Sequence, residues 1–210
     1  MTFAAWVLFL LAAPVAAANW SSRARDDDGL ERLTKPAVTA LLVAAALLLD
    51  PASSGMRLWF VAGLVLCLVG DVLLLPPERF VPGLAAFLAA HVAFVFGFVA
   101  GGLPEVIWAG YALILLPIPL AAVGTRVIRG ASRRSAALGK PVALYLGVIA
   151  LMVVIAVAHA NPWGMVGAAA FLVSDGILGW NKFVARLAWA PVAIMVTYHL
   201  ALAGLVLALP

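Results

Sequence analysis

The sequence predicts an all-α integral membrane protein of eight transmembrane helices, built as two parallel four-helix repeats with both termini extracytoplasmic. Three observations carry that prediction: the composition, the placement of basic residues, and a motif that occurs twice. Of 210 residues, 66% are hydrophobic and only 10% are charged, far more apolar than a soluble domain, so a bilayer is the solvent. Eight apolar stretches can be read, at about 3–20, 34–50, 57–75, 81–100, 105–123, 139–158, 163–180 and 187–208. Each is near the length that crosses ~30 Å of hydrocarbon, and the second is the shortest.

The segments between these stretches justify the count. Arg23, Arg25, Arg32, Lys35, Arg79, Arg126, Arg129, Arg133, Arg134, Lys140, Lys182 and Arg186 fall in or beside loops 1–2, 3–4, 5–6 and 7–8, and Arg57 alone falls on the other side. Cytoplasmic loops concentrate Lys and Arg, so this asymmetry places the even-numbered turns outside together with both termini. The net charge of +4 is the same asymmetry; no basic-aromatic interleaving points to a nucleic-acid partner. The first stretch ends in the run 13–18, Ala-Pro-Val-Ala-Ala-Ala, which has the look of a signal-peptide cleavage site. It lacks a basic n-region, and translocating residues 21–33 would invert the charge rule, so it is read as a span. The acidic run Asp26, Asp27, Asp28 reads as a solvated part of the first loop. A single cysteine, Cys67, excludes an intrachain disulfide; its counterpart in the repeat is Phe171, which makes packing its task.

The repeated motif is Trp59 with Gly63, Leu68, Val69 and Asp71, matched without a gap by Trp163 with Gly167, Leu172, Val173 and Asp175. Leu74 and Leu178 follow three residues after each aspartate, and Lys35-Pro36 and Lys140-Pro141 precede them by 36 and 35 residues. A single membrane domain, 1–210, is thus divided into a first repeat, 1–104, and a second, 105–210. Four spans per repeat put both in the membrane in the same orientation, related by an axis along the membrane normal. Helices 3 and 7 then occupy equivalent places, each running from outside to inside with its aspartate about one turn from the cytoplasmic end. Lys35 and Lys140 are expected to open helices 2 and 6, Tyr145 to lie a turn and a half inside helix 6, and Asn181 to close helix 7. His91 and the Tyr198-His199 pair lie deeper, in helices 4 and 8.

An aspartate at the centre of a membrane helix costs about 2.5–3.5 kcal/mol on insertion scales, so a duplicated one is a candidate functional group. The alternative is structural pairing with a lysine or with donors on neighbouring helices. The carboxyl groups of Asp71 and Asp175 are expected to lie close together in the cytoplasmic half, within direct or single-water reach; if they meet at the axis, repulsion leaves one proton shared between them, giving an acid and a base. Lys35 and Lys140 have two readings: interfacial snorkelling, and capture of a phosphate at a helix N-terminus. His91, among apolar neighbours, has a bland reading as a satisfied bundle residue. The three histidines are dispersed, and there is neither an H-E-x-x-H run nor a cysteine cluster, so no metal site is expected. Ser174 is not in a G-x-S-x-G elbow, and no Walker or Rossmann glycine pattern is present; no cofactor is expected.

Gly70-Asp71 with the leucines that follow, then Phe80, Gly83, Phe87 and His91, and in the second half Phe171, Ser174, Asp175, Trp180, Asn181 and Phe183, resemble the YhhN-like family. The Lys-Pro steps and the Tyr198 segment fit too, so the resemblance covers about 33–201. One departure is Tyr198-His199-Leu200-Ala201-Leu202, which stands where a Tyr-Tyr-x-Ala-Gln-like run is expected, so that glutamine's role does not carry over. The characterised animal members are lysoplasmalogenases. The resemblance therefore implies a hydrolase that cleaves the vinyl-ether bond of a lysophospholipid to a fatty aldehyde and a glycerophospho head group. It implies Asp71 and Asp175 as the catalytic pair, Lys35 and Lys140 holding the phosphate, and His91, Tyr145, Asn181 and Tyr198 positioning water or head group. The rival class is a small lipid or solute transporter or flippase with a proton-coupled acidic pair. Against it, the acids are shallow and the outer half offers no second polar vestibule. The Ala-rich, basic-loop style points to a bacterial inner membrane, with the site toward the cytoplasm.

Overall fold

The computed structural model describes residues 1–118 and 120–210. The chain is all-helical, with no strand among the described residues. Its helices are α1 Phe3–Ala24, α2 Asp28–Leu48, α3 Ser54–Leu73, α4 Phe80–Ala100, α5 Val106–Leu115, α6 Thr125–Arg134, α7 Ala136–His159, α8 Pro162–Phe183 and α9 Ala190–Leu207. Polar side chains fix the starts. Thr2, Asp27, Ser53, Ser135 and Asn161 each accept a backbone N–H of the first turn, satisfying donors that have no partner within the helix.

Among the described residues six helices are long and apolar enough to cross a membrane: α1, α3, α4 with the preceding 3₁₀ turn, α7, α8 and α9. A seventh results if α5 and the segment Leu120–Arg134, bent by 42°, form one broken span. The chain is therefore an integral membrane protein, with six or seven clear spans where eight apolar stretches were expected. Both differences have local causes. Asp27 caps α2 and draws its start back to Asp28, so that Asp28, Glu31, Arg32 and Lys35 join the helix and dilute its hydropathy. In the fifth stretch Pro117 and Pro119 each remove a donor, and a π-helical turn, Leu120–Gly124, follows, the usual cause of a sharp bend.

The expected helix openings are corrected at the same places. Lys35 lies two turns inside α2 and Lys140 more than one turn inside α7, with Pro36 and Pro141 both within helices. The caps Asp27 and Ser135, not the prolines, set the starts. The two aspartates also differ in their distance from a helix end. Leu73 ends α3 just after Asp71, because Pro76 and Pro77 disfavour helix for the residues before them. With no such stop, α8 runs on to Phe183, two turns past Asp175.

Packing follows the motif. α3 packs along α4 and α8 along α9, while α2 meets α9 and α4 meets α7. The paired glycines occupy these crossings. A Cβ at Gly63 would sit 2.6 Å from the Phe94 ring, and one at Gly167 would sit 2.9 Å from Ala201 O and Leu205 N. The second is backbone against backbone, the small-residue contact that lets membrane helices approach closely. Phe60, Phe94 and Phe98 interlock edge to face at 5.4 and 4.9 Å between centroids, and with Phe171, Ile149, Met152, Leu202 and Leu205 they fill the buried core.

The two ends of the bundle differ in charge. At one end Ala52 N–H donates to Leu209 O, Thr2 donates to Leu48 O, and Glu105 N–H donates to Ala158 O, so both termini and the turns before α3, α5 and α8 share that end with Arg57. At the other end Arg134 donates to Lys182 O, and the Lys182 ammonium lies 4.3 Å over the Phe80 ring.

Replacing Gly167 with leucine should lower stability in detergent by about 1–3 kcal/mol, since the new side chain must separate two backbones. Gly147, where an added Cβ meets nothing within 4 Å, is the control: Gly147→Ala should be neutral or stabilising by up to ~1 kcal/mol. Thermal unfolding of the two variants in the same detergent checks the contrast.

Candidate active site

Each aspartate projects from an apolar helix and is met by polar groups from two neighbouring helices. Asp71 on α3 is fully buried. Its Oδ2 accepts from Thr39 Oγ1 of α2 at 2.5 Å and from the Tyr198 hydroxyl of α9 at 2.9 Å. Its Oδ1 has no hydrogen-bond partner among the described residues but faces the Lys35 ammonium at 4.0 Å. Lys35, two turns into α2, is itself buried. An unpaired carboxylate here would be costly; the ammonium and two hydroxyls offset that cost.

Asp175 on α8 has a different set. Its Oδ2 accepts from the Tyr145 hydroxyl of α7 at 2.5 Å, and His91 Nε2 of α4 lies 3.7 Å away. His91 is fully buried, and neither ring nitrogen has a hydrogen-bond partner among the described residues. Its ring is held edge-on to Phe171 and Tyr145, at 4.5 and 5.4 Å between centroids. The Asp175 side chain keeps 9% of its surface exposed, against none for Asp71. A small cavity of about 30 Å³ opens beside it, bounded by Asp175, Tyr145, Leu146, Phe80 and Phe183, about the room one or two waters need.

Helices 2 and 9 thus serve the α3 carboxylate, and helices 7 and 4 serve the α8 carboxylate. The two acids exchange no hydrogen bond among the described residues. They are linked through aromatic contacts: Tyr198 packs on Phe171 at 5.5 Å and on Phe87 at 5.6 Å, and Phe171 packs on His91. Cys67, one turn before Asp71, is fully buried in the same core.

Of the residues singled out in the sequence, Asp71, Lys35 and Tyr198 come together, and so do Asp175, Tyr145 and His91. Lys140 and Asn181 do not join them. Lys140 is exposed at the basic end, and the Asn181 side-chain oxygen accepts from Leu187 N–H at 2.8 Å, closing the turn between α8 and α9. Ser174 donates to Ile194 O at 3.0 Å, a packing role. Four residues with polar groups escaped the sequence reading. Thr39 is one turn beyond Lys35 and shares its face, a spacing that could have marked it. Trp20 donates to His199 Nδ1 at 2.9 Å, and Asn19 donates to Thr34 at 3.1 Å; nothing in the sequence distinguishes these from interfacial residues. No group of three His, Cys, Asp or Glu side chains among the described residues could hold a metal ion.

Two carboxylates set in apolar helices, one fully buried and one nearly so, each have a tyrosine hydroxyl and a nitrogen group nearby, an arrangement chemically capable of proton transfer. This is the architecture of a polytopic membrane protein with paired intramembrane acids. A family model described as the YhhN family matches residues 30–209, and the chain belongs to that family. It is 33% identical over 138 residues to human lysoplasmalogenase TMEM86B, covering 66% of this chain and 57% of that protein. It is 31% identical over 150 residues to a lysoplasmalogenase of Mycobacterium bovis, covering 69% and 57%, and 29% identical over 165 residues to the rat TMEM86B lysoplasmalogenase, covering 71% and 61%. The matched region therefore spans under two thirds of the length of these relatives. No solved structure matches the chain.

Removing either hydroxyl from Asp71 should cost about 1–3 kcal/mol, the penalty of an under-satisfied buried acceptor. Thr39→Val and Tyr198→Phe share one oxygen and should be non-additive in the double variant, whereas Thr39→Val with Tyr145→Phe should be additive, since the two belong to separate carboxylates. Unfolding free energies of the singles and doubles in detergent check both statements.

Proposed function

We propose that the protein is a lysoplasmalogenase-like hydrolase that cleaves the vinyl-ether bond of a lysoplasmalogen or related lysophospholipid, releasing a fatty aldehyde and a glycerophospho head group. The observation that carries this reading is the pair of buried aspartates, each hydrogen-bonded to a tyrosine, in a chain whose family relatives are named lysoplasmalogenases. The chemistry suits them. One carboxyl group protonates the β-carbon of the vinyl ether, giving an oxocarbenium ion. The same group, now an anion, takes a proton from water as it adds to the α-carbon, while the other carboxylate stabilises the positive charge electrostatically. The hemiacetal then collapses, the glycerol oxygen leaving with a proton and the aldehyde departing with the chain. General acid–base groups of this kind contribute about 10²–10⁴-fold.

On this reading the chain is one membrane domain, 1–210, of two four-span repeats, 1–104 and 105–210. α2 is the second span and α5 with α6 the broken fifth. Support comes from the crossed service of the carboxylates: α2 and α9 reach Asp71, while α7 and α4 reach Asp175. The basic end faces the cytoplasm of a bacterial inner membrane, and both termini face away from it. Lys140, exposed at the basic end, receives the phosphate, Lys35 holds the Asp71 carboxylate, and His91, Tyr145 and Tyr198 position the carboxyl groups and water.

Asp71→Asn and Asp175→Asn should each leave less than about a tenth of wild-type turnover, in a folded protein that still binds substrate. Aldehyde release from purified protein in detergent measures this, and a variant above that level would argue against essential proton transfer.

The lysines should separate kinetically. Lys140 is exposed and touches neither acid, so Lys140→Gln should raise KM with little change in kcat, as for binding made equally in ground and transition states. Lys35 faces Asp71 at 4.0 Å, so Lys35→Gln should lower kcat as well. A substrate analogue without phosphate should be indifferent to Lys140→Gln, and equal losses with both substrates would assign that lysine to the fold.

A further inference from the structure

A second cavity, of about 440 Å³, lies on the outside of α8 and is almost entirely apolar. The π-helical turn Leu120–Gly124 touches both α7 and α8, and the cleft beside it is lined by Leu120, Leu146, Leu172, Gly176, Trp180 and Trp189. Its volume is in the range of small-molecule sites, about 300–1,000 Å³. Leu146 also borders the small cavity at Asp175, so the cleft and the acid are separated by one helix face. Neighbouring residues divide the work: Tyr145 and Asp175 point inward and bond to each other, while Leu146 and Gly176, next to them in sequence, line the cleft. The cleft runs along α8 from Leu172 to Trp180, about 12 Å at 1.5 Å per residue. At its basic end Trp180 and Trp189 stand near Lys182 and Arg186, amphipathic rings at the level of head groups.

We propose that this cleft binds the single hydrocarbon chain of the lysophospholipid substrate and presents its vinyl-ether end to Asp175 rather than to Asp71. The proposal rests on the hydrolase reading given above. A lining with almost no polar surface cannot repay the desolvation of a head group or a solute, but it suits a lone alkyl or alkenyl chain. The reacting bond adjoins the head group, so it lies near the tryptophans, with the chain passing Gly176 and Leu172 toward the bilayer centre. Asp71 has no comparable approach: it is fully enclosed and held by Thr39, Tyr198 and Lys35. The space beside Gly176 is open, since an added Cβ there meets nothing within 4 Å.

Gly176→Phe and Val173→Trp test this. Both fill the cleft from α8 without removing an acid, and Val173 is half exposed, so at least the second variant should fold. With a long-chain lysoplasmalogen each should raise KM about tenfold or more, while a short-chain, water-soluble vinyl ether should change less than about twofold. Equal loss with both substrates for Val173→Trp, or no change with either, overturns the proposal. A non-hydrolysable ether lysophospholipid with a photoreactive group at the chain end provides a readout independent of turnover. Labelling confined to the segments around Leu120, Leu146 and Leu172 supports the cleft even if no aldehyde is ever released, in which case only the hydrolase reading fails. Labelling spread over all lipid-facing helices, unchanged in the variants, means ordinary annular lipid and overturns the cleft as a site.

Discussion

Burying a carboxylate in a membrane helix is the constraint on which the rest of this structure depends. Neither α3 nor α8 can satisfy its own aspartate, because helix backbone groups are already paired and the neighbouring side chains are apolar. Donors must come from other helices at the right depth. That requirement fixes α2 and α9 around Asp71 and α7 and α4 around Asp175, through Thr39, Tyr198, Tyr145 and the approach of His91. Close helix contact is needed to hold such short hydrogen bonds. The glycine crossings provide it, with Gly167 against Gly204 backbone on backbone. Between the two acids the rings of Phe87, Phe171 and Tyr198 interlock, so packed aromatic side chains rather than a hydrogen bond join the two clusters.

The two acids have diverged in environment although their motif is shared. Asp71 has a buried ammonium partner, two hydroxyl donors and no exposed surface. Asp175 has one hydroxyl, an uncharged-or-charged imidazole at 3.7 Å, a small cavity and some exposure. Different surroundings are what separates an acid from a base when both are the same residue type. On the proposed reading, the enclosed, cation-paired group is suited to remaining an anion that stabilises an oxocarbenium ion. The open group is suited to meeting substrate and exchanging protons.

Much of this could be read from the sequence because a membrane imposes simple rules. Composition marked the class, and the duplicated Trp-Gly-Asp spacing drew attention to the two acids that the structure sets in α3 and α8. Tyr145, Tyr198 and His91 were found because polar residues are scarce in apolar spans. What escaped depended on local capping and on partners distant in sequence. Lys35 and Lys140 were placed at helix starts on the strength of Pro36 and Pro141, but Asp27 and Ser135 accept the first-turn donors and lengthen both helices. Thr39 was passed over because threonine is common in such helices. The pairing of Trp20 with His199 joins residues 179 apart, and no periodicity reports it. Asn181, in a motif with Trp180 and Lys182, turned out to close a turn, a use that its position near a helix end equally allowed.

The location of the acids near the basic end has its own logic on the proposed reading. Hydrolysis of a vinyl ether needs water and protons, whereas the chain that carries the bond belongs in hydrocarbon. A site at the bilayer midplane would lack water; one in a loop would have to extract the chain from the membrane. Placing Asp175 in α8 two turns short of the helix end, with a water-sized cavity on one side and an apolar cleft on the other, meets both demands without moving the lipid far from its normal depth. The bend in the fifth stretch then has a purpose beyond the prolines that cause it. On that reading a straight helix packed on α8 would close the cleft and leave Asp175, the more open of the two acids, without an approach from the membrane.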